Sequence, residues 1–91
     1  MAPSPRREAI RVNPNYAKAY FNLGKVDAQQ DRLDEAIANF QKALQIQPGV
    51  AEIHENLARA LARQGKRTEA LQEYQEALRL LQSRSQGGGV P

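Results

Sequence analysis

Few side chains in this 91-residue chain could do chemistry, and they lie far apart in the sequence. It has no cysteine and one histidine, His54, so neither a thiolate site nor a histidine cluster for a metal can form. The adjacent carboxylates Asp34 and Glu35 fall at a predicted helix start, where the helix dipole favours acidic residues. No phosphate-binding loop and no nucleophile–histidine pair accompany them. The inventory predicts a protein that is not an enzyme and that carries no cofactor.

A repeat of 34 residues organises the chain. When residues 17–50 are aligned with residues 51–84, 10 of the 34 pairs are identical, and several others, such as Phe40 with Tyr74, are conservative. A fixed period of this length is typical of stacked helical repeats, whose units bury their apolar faces against one another. The identical pairs are Ala17/Ala51, Asn22/Asn56, Leu23/Leu57, Ala28/Ala62, Gln30/Gln64, Glu35/Glu69, Ala36/Ala70, Gln41/Gln75, Ala43/Ala77 and Leu44/Leu78.

Each unit is predicted to be a pair of amphipathic helices, because its apolar residues recur at intervals of three and four. We expect helices over about residues 17–30 and 33–47, closed by Pro48, and then over about 51–64 and 68–84, with Gly65 at the turn between them and Thr68 as a cap. The expected core residues are, helix by helix, Ala19, Tyr20, Leu23, Val26 and Ala28; Ala36, Ile37, Phe40, Ala43, Leu44 and Ile46; Ile53, Leu57, Ala58, Ala60 and Leu61; and Ala70, Leu71, Tyr74, Ala77, Leu78 and Leu81.

The ends of the chain depart from this pattern. Residues 1–4 are predicted to be disordered, and residues 5–14 to form a partial helix that the segment from Asn13 to Asn15 ends. Shifted by 34 positions, Ala9 and Ile10 fall on Ala43 and Leu44, so this helix looks like the end of a preceding unit. Residues 15–50 and 51–84 are the two full units, and residues 85–91 are expected to form a flexible tail.

These residues resemble the tetratricopeptide repeat family, whose units pair two antiparallel helices over 34 residues. The first unit departs at Asp27, where the family usually has an aromatic residue, and the second at Gln82, which replaces proline. The resemblance implies an all-α solenoid of helical hairpins, with two full repeats plus a partial N-terminal helix. It also implies a protein–protein interaction module that binds a peptide or a helix in a concave groove. The matching residues are Tyr20, Leu23, Gly24, Ala36, Phe40, Ala43 and Pro48, and then Leu57, Ala58, Ala70, Tyr74 and Ala77.

The groove of such a solenoid is lined by the first helix of each unit. Asn22 and Asn56 occupy the same repeat position, and an asparagine amide can both donate to and accept from a peptide backbone. The arrangement resembles the asparagine ladder in the repeat domain of O-linked N-acetylglucosamine transferase, although the pair could equally be inherited repeat sequence. A clamp for a terminal carboxylate is disfavoured by Glu52 and Glu55. The predicted peptide-binding residues are Lys18, Phe21, Asn22, Lys25, Glu52, Asn56 and Arg59.

Two further features have a structural and a functional interpretation. His54 takes the place of Tyr20, which favours a partly buried packing role over a pH switch or a ligand. Arg59, Arg63, Lys66 and Arg67 form a basic cluster, which indicates either a solvated face paired with nearby glutamates or a site for an acidic partner. With 13 basic and 10 acidic residues, the net charge of +3 is too small to indicate nucleic acid.

The last helix has an apolar flank where a further unit would pack, with Leu71, Leu78 and Leu81 as candidate oligomer contacts. The alternative function is therefore self-association, by end-to-end stacking, a symmetric dimer or exchange of a hairpin. A third hypothesis is that the chain is a slice of a longer repeat protein, with an enzymatic domain elsewhere. No signal peptide and no apolar run long enough for a membrane span is visible, and we expect a cytoplasmic protein without membrane contact.

Overall fold

The computed structural model describes the backbone of residues 13–89 and the side chains of residues 13–84. In that range the chain forms four α-helices: α1 (Pro14–Gln29), α2 (Leu33–Ile46), α3 (Ala51–Arg63) and α4 (Arg67–Gly89). Helix α1 packs on α2 and α3 packs on α4, while α2 against α3 joins the two hairpins. The all-α hairpin architecture is therefore confirmed. The predicted partial helix lies, up to Val12, outside the described residues.

The helix boundaries correct two predictions. Helix α1 begins at Pro14, ahead of the predicted start at about residue 17: the Asn13 side chain accepts a hydrogen bond from the Asn15 backbone N–H at 2.9 Å, and Pro14 occupies the first helical position, where no N–H is needed. Thr68 lies inside the first turn of α4 and does not cap it. The Lys66 carbonyl instead accepts the first bond of that helix, from the Ala70 N–H at 3.0 Å.

The turns within the hairpins both use a residue in the left-handed region. Gly65, the predicted end of α3, has a φ of +85°, and Asp31, its equivalent in the first unit, has a φ of +63°. Glycine adopts this conformation without a steric penalty, whereas aspartate tolerates it at some cost. The two units thus turn in the same way with different residues.

Helix α4 runs to Gly89, so the prediction of a tail beginning at Ser85 is wrong for residues 85–89. The first unit ends its second helix before Pro48, but the equivalent residue in the second unit is Gln82. Because no proline occurs between Gln82 and Gly89, the backbone meets no residue that lacks an N–H for the helix ladder.

The core lies between α2 and α3 and is centred on Phe40, which is 1 % exposed. The rings of Phe40 and Phe21 are tilted against each other with centroids 5.8 Å apart. The burial predicted for α3 is confirmed in full, and Leu44 and Ile46 of α2 are half-buried. The buried residues of these two helices are Ala36, Ile37, Phe40, Ala43, Ala51, Ile53, Leu57, Ala58, Ala60 and Leu61.

The predicted core face of α1 is confirmed in part: Tyr20 and Ala28 are half-buried and pack on the core, but the other three predicted residues are exposed. Leu23 and Val26 are 49 % and 46 % exposed, whereas the buried residues are Ala17, Phe21, Gly24 and Asp27. Leu23 is equivalent to Leu57, which is buried where α3 meets α2. Helix α1 has no such neighbour among the described residues, so it buries only the face that meets α2 and α3, and the apolar stripe of Leu23 and Val26 points away from the core.

Of the α4 side chains that the structure describes, residues 67–84, the buried ones are Ala70 and Ala77. The predicted burial of its larger apolar residues is wrong, because they lie on the side of α4 that faces away from α3. The exposed residues are Leu71, Tyr74, Leu78 and Leu81, with 56 %, 39 %, 55 % and 48 % of their surface accessible. The exposure of this flank agrees with the prediction that another unit would pack there.

Candidate functional site

Two clefts lie between α1 and α3, where the first helices of the two units are closest. The first cleft, of about 360 Å³, has Ala17, Phe21 and Ile53 among its lining residues. The second, of about 270 Å³, includes Phe40 and Ala60. Lys25 borders both clefts, so they form neighbouring parts of one surface, which we call the α1–α3 groove. Its lining combines buried apolar residues with exposed polar ones, as binding clefts usually do.

All seven residues predicted to bind a peptide line this groove. Lys18, Phe21, Asn22, Lys25 and Glu52 border the first cleft. Asn56 and Arg59 border the second, again with Lys25. The repeat register thus brings residues from two helices, at least 27 positions apart in the chain, to one surface.

Phe21 differs from the prediction in its exposure. We expected it on the outer edge of α1, but its ring is 8 % exposed and packs on Phe40. Little of the Phe21 surface can therefore meet a ligand. The Nζ atom of Lys25 lies 4.5 Å from the centroid of the Phe21 ring, within the range of a cation–π interaction. This contact holds the Lys25 ammonium between the two clefts.

The two asparagines have different surroundings although they share a repeat position. Asn22 is exposed beside the first cleft. Asn56 is half-buried, and its Nδ2 donates to the Glu52 carbonyl oxygen one turn earlier, at 2.8 Å. This local bond occupies one N–H of the Asn56 amide. The Asn22 amide is thus the more accessible of the two for a peptide backbone.

The basic residues near the second cleft are partly neutralised by acidic ones. Arg59 pairs with Glu55 on the same helix at 3.4 Å, which agrees with the interpretation of a solvated, paired face. Arg63 reaches back to the first unit, donating to the Asp31 carboxylate at 2.8 Å and to the Ala28 carbonyl at 3.1 Å. Spacing along one helix could not predict this bridge, because it joins the end of α3 to the turn that follows α1.

His54 has the structural role predicted for it. Its side chain is largely buried, and its Nδ1 lies 2.7 Å from a Glu73 carboxylate oxygen of α4. Its Nε2 lies 2.9 Å from the Pro48 carbonyl oxygen. The histidine thereby ties α3 to α4 and to the linker between the two units, on a side of the molecule that does not line the groove.

The first unit also has a side-chain hydrogen bond between its two helices, made by different residues. Asn39 of α2 occupies the repeat position of Glu73, and its Nδ2 donates to the buried Asp27 carboxylate of α1 at 2.8 Å. Asp27, which replaces the family's aromatic residue, is therefore accommodated by an amide partner. Among the described side chains, a hydrogen bond thus joins the two helices of each hairpin, and the partner residues differ between the units.

The described residues place limits on other kinds of site. Residues 13–84 hold no group of three or more His, Asp or Glu side chains close enough to bind a metal ion. Among the four described helices, none combines the length and the apolar composition that crossing a membrane requires. The surface with both depth and polar lining is the α1–α3 groove.

A stack of helical hairpins with a groove along its first helices defines a helical-repeat scaffold for protein interactions. The family model of the tetratricopeptide repeat matches residues 16–83, which is most of the chain. The chain belongs to the tetratricopeptide repeat family.

Solved structures of the protein MamA are similar to this chain. The structure titled "Crystal structure of MamA" has 30 % sequence identity to this chain and a TM-score of 0.76. The matched region covers 88 % of this chain and 47 % of the MamA chain. The structure titled "MamA MSR-1 C2" has 32 % identity and a TM-score of 0.72, and the matched region covers 85 % of this chain and 42 % of that chain. The chain thus spans about half the length of these structures. A comparison with curated proteins found no match to the sequence.

Proposed function

We propose that this chain binds an extended peptide or a helix of a partner protein in the α1–α3 groove. The observation that carries the proposal is the lining of the two adjoining clefts, which together hold seven predicted contact residues from both units. The scaffold has no chemistry of its own in this proposal: it acts by holding a partner segment. The rigid hairpins on either side keep the groove formed before the ligand arrives, which lowers the cost of ordering on binding.

Each part of the groove has a distinct role in the proposal. The apolar floor near Phe21 and Ile53 takes an apolar side chain of the ligand. The amide of Asn22 pairs with the ligand backbone, because it supplies a donor and an acceptor on an exposed helix face. Lys25, between the two clefts, pairs with a carboxylate of the ligand.

The charge of the groove favours ligands that carry acidic side chains. Lys18, Lys25, Arg59 and Arg63 line the clefts, against Glu52 as the acidic residue of the lining. Arg59 and Arg63 already have acidic partners within the chain, so Lys18 and Lys25 provide most of the available positive charge. Attraction between such exposed charges speeds association and weakens with added salt.

A peptide array followed by NMR titration tests the proposal. Peptides that bind should shift the backbone amides of α1 and α3, and Lys25→Glu should weaken binding of acidic peptides by about tenfold or more, equivalent to about 1.4 kcal/mol. Gln45→Glu makes a matched control, since Gln45 is exposed on α2 and lines neither cleft. Peptide shifts confined to other helices would refute the groove as the binding surface.

The contribution of the asparagines is tested separately. Asn22→Ala and Asn22→Ala/Asn56→Ala should both weaken the peptide found in the array, and most of the loss should come from Asn22, which is the more exposed. Gln41→Ala/Gln45→Ala provides the matched pair on α2. If the double asparagine variant binds like the parent, these residues have no role in recognition, although the groove itself could still bind.

A further inference from the structure

Helices α1 and α4, the first and the last of the described structure, each have an exposed apolar face. These two faces are equivalent to the two surfaces that pack together where α2 meets α3. On α4 the exposed face consists of Leu71, Tyr74 and Leu78. On α1 it consists of Ala19, Leu23 and Val26. We call these the α4 face and the α1 face, and neither contributes to the α1–α3 groove.

The α4 face is equivalent to the side of α2 that packs on α3. A shift of 34 positions places Leu71 on Ile37, Tyr74 on Phe40 and Leu78 on Leu44. Ile37 and Phe40 are 9 % and 1 % exposed and share one core cluster with the buried residues of α3, and Phe40 also packs on Phe21 of α1. The residues at the end of the chain have the same chemistry and lack only the covering helix among the described residues.

The α1 face is equivalent to the opposite side of the same junction. The shift places Ala19 on Ile53, Leu23 on Leu57 and Val26 on Ala60, and all three α3 residues are buried. The α2–α3 junction therefore shows how an α4 face would cover an α1 face. Within one chain the two faces are at opposite ends of the order of helices, so they can meet only between copies.

We propose that a second copy of this chain covers these faces, by packing its α1 face on the α4 face of the first. The contact continues the α2–α3 junction with apolar residues at the same repeat positions. It pairs two different surfaces, so each copy keeps one face open and further copies can add without closure. This proposal does not depend on peptide binding in the groove.

A hydrogen bond at the edge of the α2–α3 junction also has equivalent residues beside the α1 face and the α4 face. Gln64, the residue after α3, donates to the Asp34 carboxylate of the first unit at 2.5 Å. The equivalent residues are Gln30 and Thr68, and an amide can donate to a hydroxyl in the same position. The contact between copies thus repeats the internal hydrogen bond without placing two like charges together at this point.

Light scattering during size-exclusion chromatography of the full chain tests this arrangement. The parent chain should show an average mass that rises with protein concentration and passes that of a dimer. Leu23→Lys/Val26→Lys removes the α1 face and Leu71→Lys/Leu78→Lys removes the α4 face, each at half-exposed positions that the fold tolerates. Each variant alone should be a monomer with the helix content of the parent by circular dichroism.

The decisive sample is an equal mixture of the two variants. One partner keeps an α1 face and the other an α4 face, so the mixture should form a dimer with twice the mass of one chain and nothing larger. Gln41→Lys/Gln45→Lys adds the same charge elsewhere and should associate like the parent. A parent chain that stays monomeric, a single variant that still dimerises, or a mixture that stays monomeric would each overturn the proposal.

Discussion

Gly24 and Phe40 make the closest helix contact that a single methyl group can test. A Cβ added at Gly24 would lie 2.6 Å from Cε1 and 2.7 Å from Cδ1 of the Phe40 ring, and 3.2 Å from the Ala36 carbonyl oxygen. The ring cannot swing outward, because Phe40 is 1 % exposed and packs on Phe21. Gly24→Ala should therefore push α1 and α2 apart.

The magnitude follows from two opposing effects on the free energy of unfolding. Overpacking a tight core costs about 1–3 kcal/mol, and two contacts far below van der Waals distance put this case in the upper half of the range. Replacing glycine by alanine inside a helix returns about 1 kcal/mol. The net loss should be about 1–2 kcal/mol, which lowers the melting temperature of a domain of this size by roughly 4–15 °C.

Thermal and urea unfolding followed by circular dichroism measure this loss. Ala58 is the equivalent residue of the second unit and is buried, so the reverse change, Ala58→Gly, should also destabilise, by about 1 kcal/mol or more through lost helix propensity and a lost methyl group. In a Phe40→Leu background the clash is relieved, and Gly24→Ala should cost nothing. A Gly24→Ala protein as stable as the parent would refute the close contact of α1 and α2.

Three further changes test the polar contacts and the turns. Asn39→Ala should cost about 1–3 kcal/mol of unfolding free energy, measured with urea, because it removes the side-chain donor of the buried Asp27. Gly65→Ala should cost about 1–2 kcal/mol in the same assay, since φ is +85° there. Arg79→Gln should raise the pKa of Glu76 in an NMR titration, because the hydrogen bond from Arg79, aided by its charge, holds that pKa below its usual value.

The direction of each measured change tests the contact from which it is predicted. Since its pKa is lowered, Glu76 stabilises the folded parent when ionised, and this contribution disappears as the pH falls through that acidic pKa. Arg79→Gln should flatten this part of the pH profile. A Glu76 titration unchanged by the substitution, or unfolding curves of the other two variants that overlay the parent, would contradict the contacts described.

The sequence predicts this fold well because the same spacing of apolar residues occurs in both repeat units. Alanine and leucine at matching positions predict the hairpins, and the core of α3 agrees residue by residue. The core face of α1 could not be predicted in the same way. Both of its faces are apolar, and which one is buried depends on what packs beside it rather than on its own period.

The sequence predicts which residues line the α1–α3 groove, but it does not predict the hydrogen bonds that these residues make. Repeat register places Lys18, Asn22 and Asn56 at the groove, because equivalent positions of stacked units fall on one side. It does not show that Asn56 bonds to its own helix or that Arg63 bridges to Asp31. Those contacts depend on distances between helices, which spacing along the chain does not contain.

The unlike polar contacts that close the two hairpins also determine which helices can pair during folding. If α4 took the place of α2 on α1, Glu73 would stand where Asn39 stands, opposite the buried Asp27. Two carboxylates would then face each other in a site with little water, so the wrong pairing is penalised although the apolar residues match. Glu73→Asn would remove this penalty, and refolding at high concentration should then yield more misassembled protein on native gels. An unchanged yield would show that apolar packing alone selects the correct hairpins.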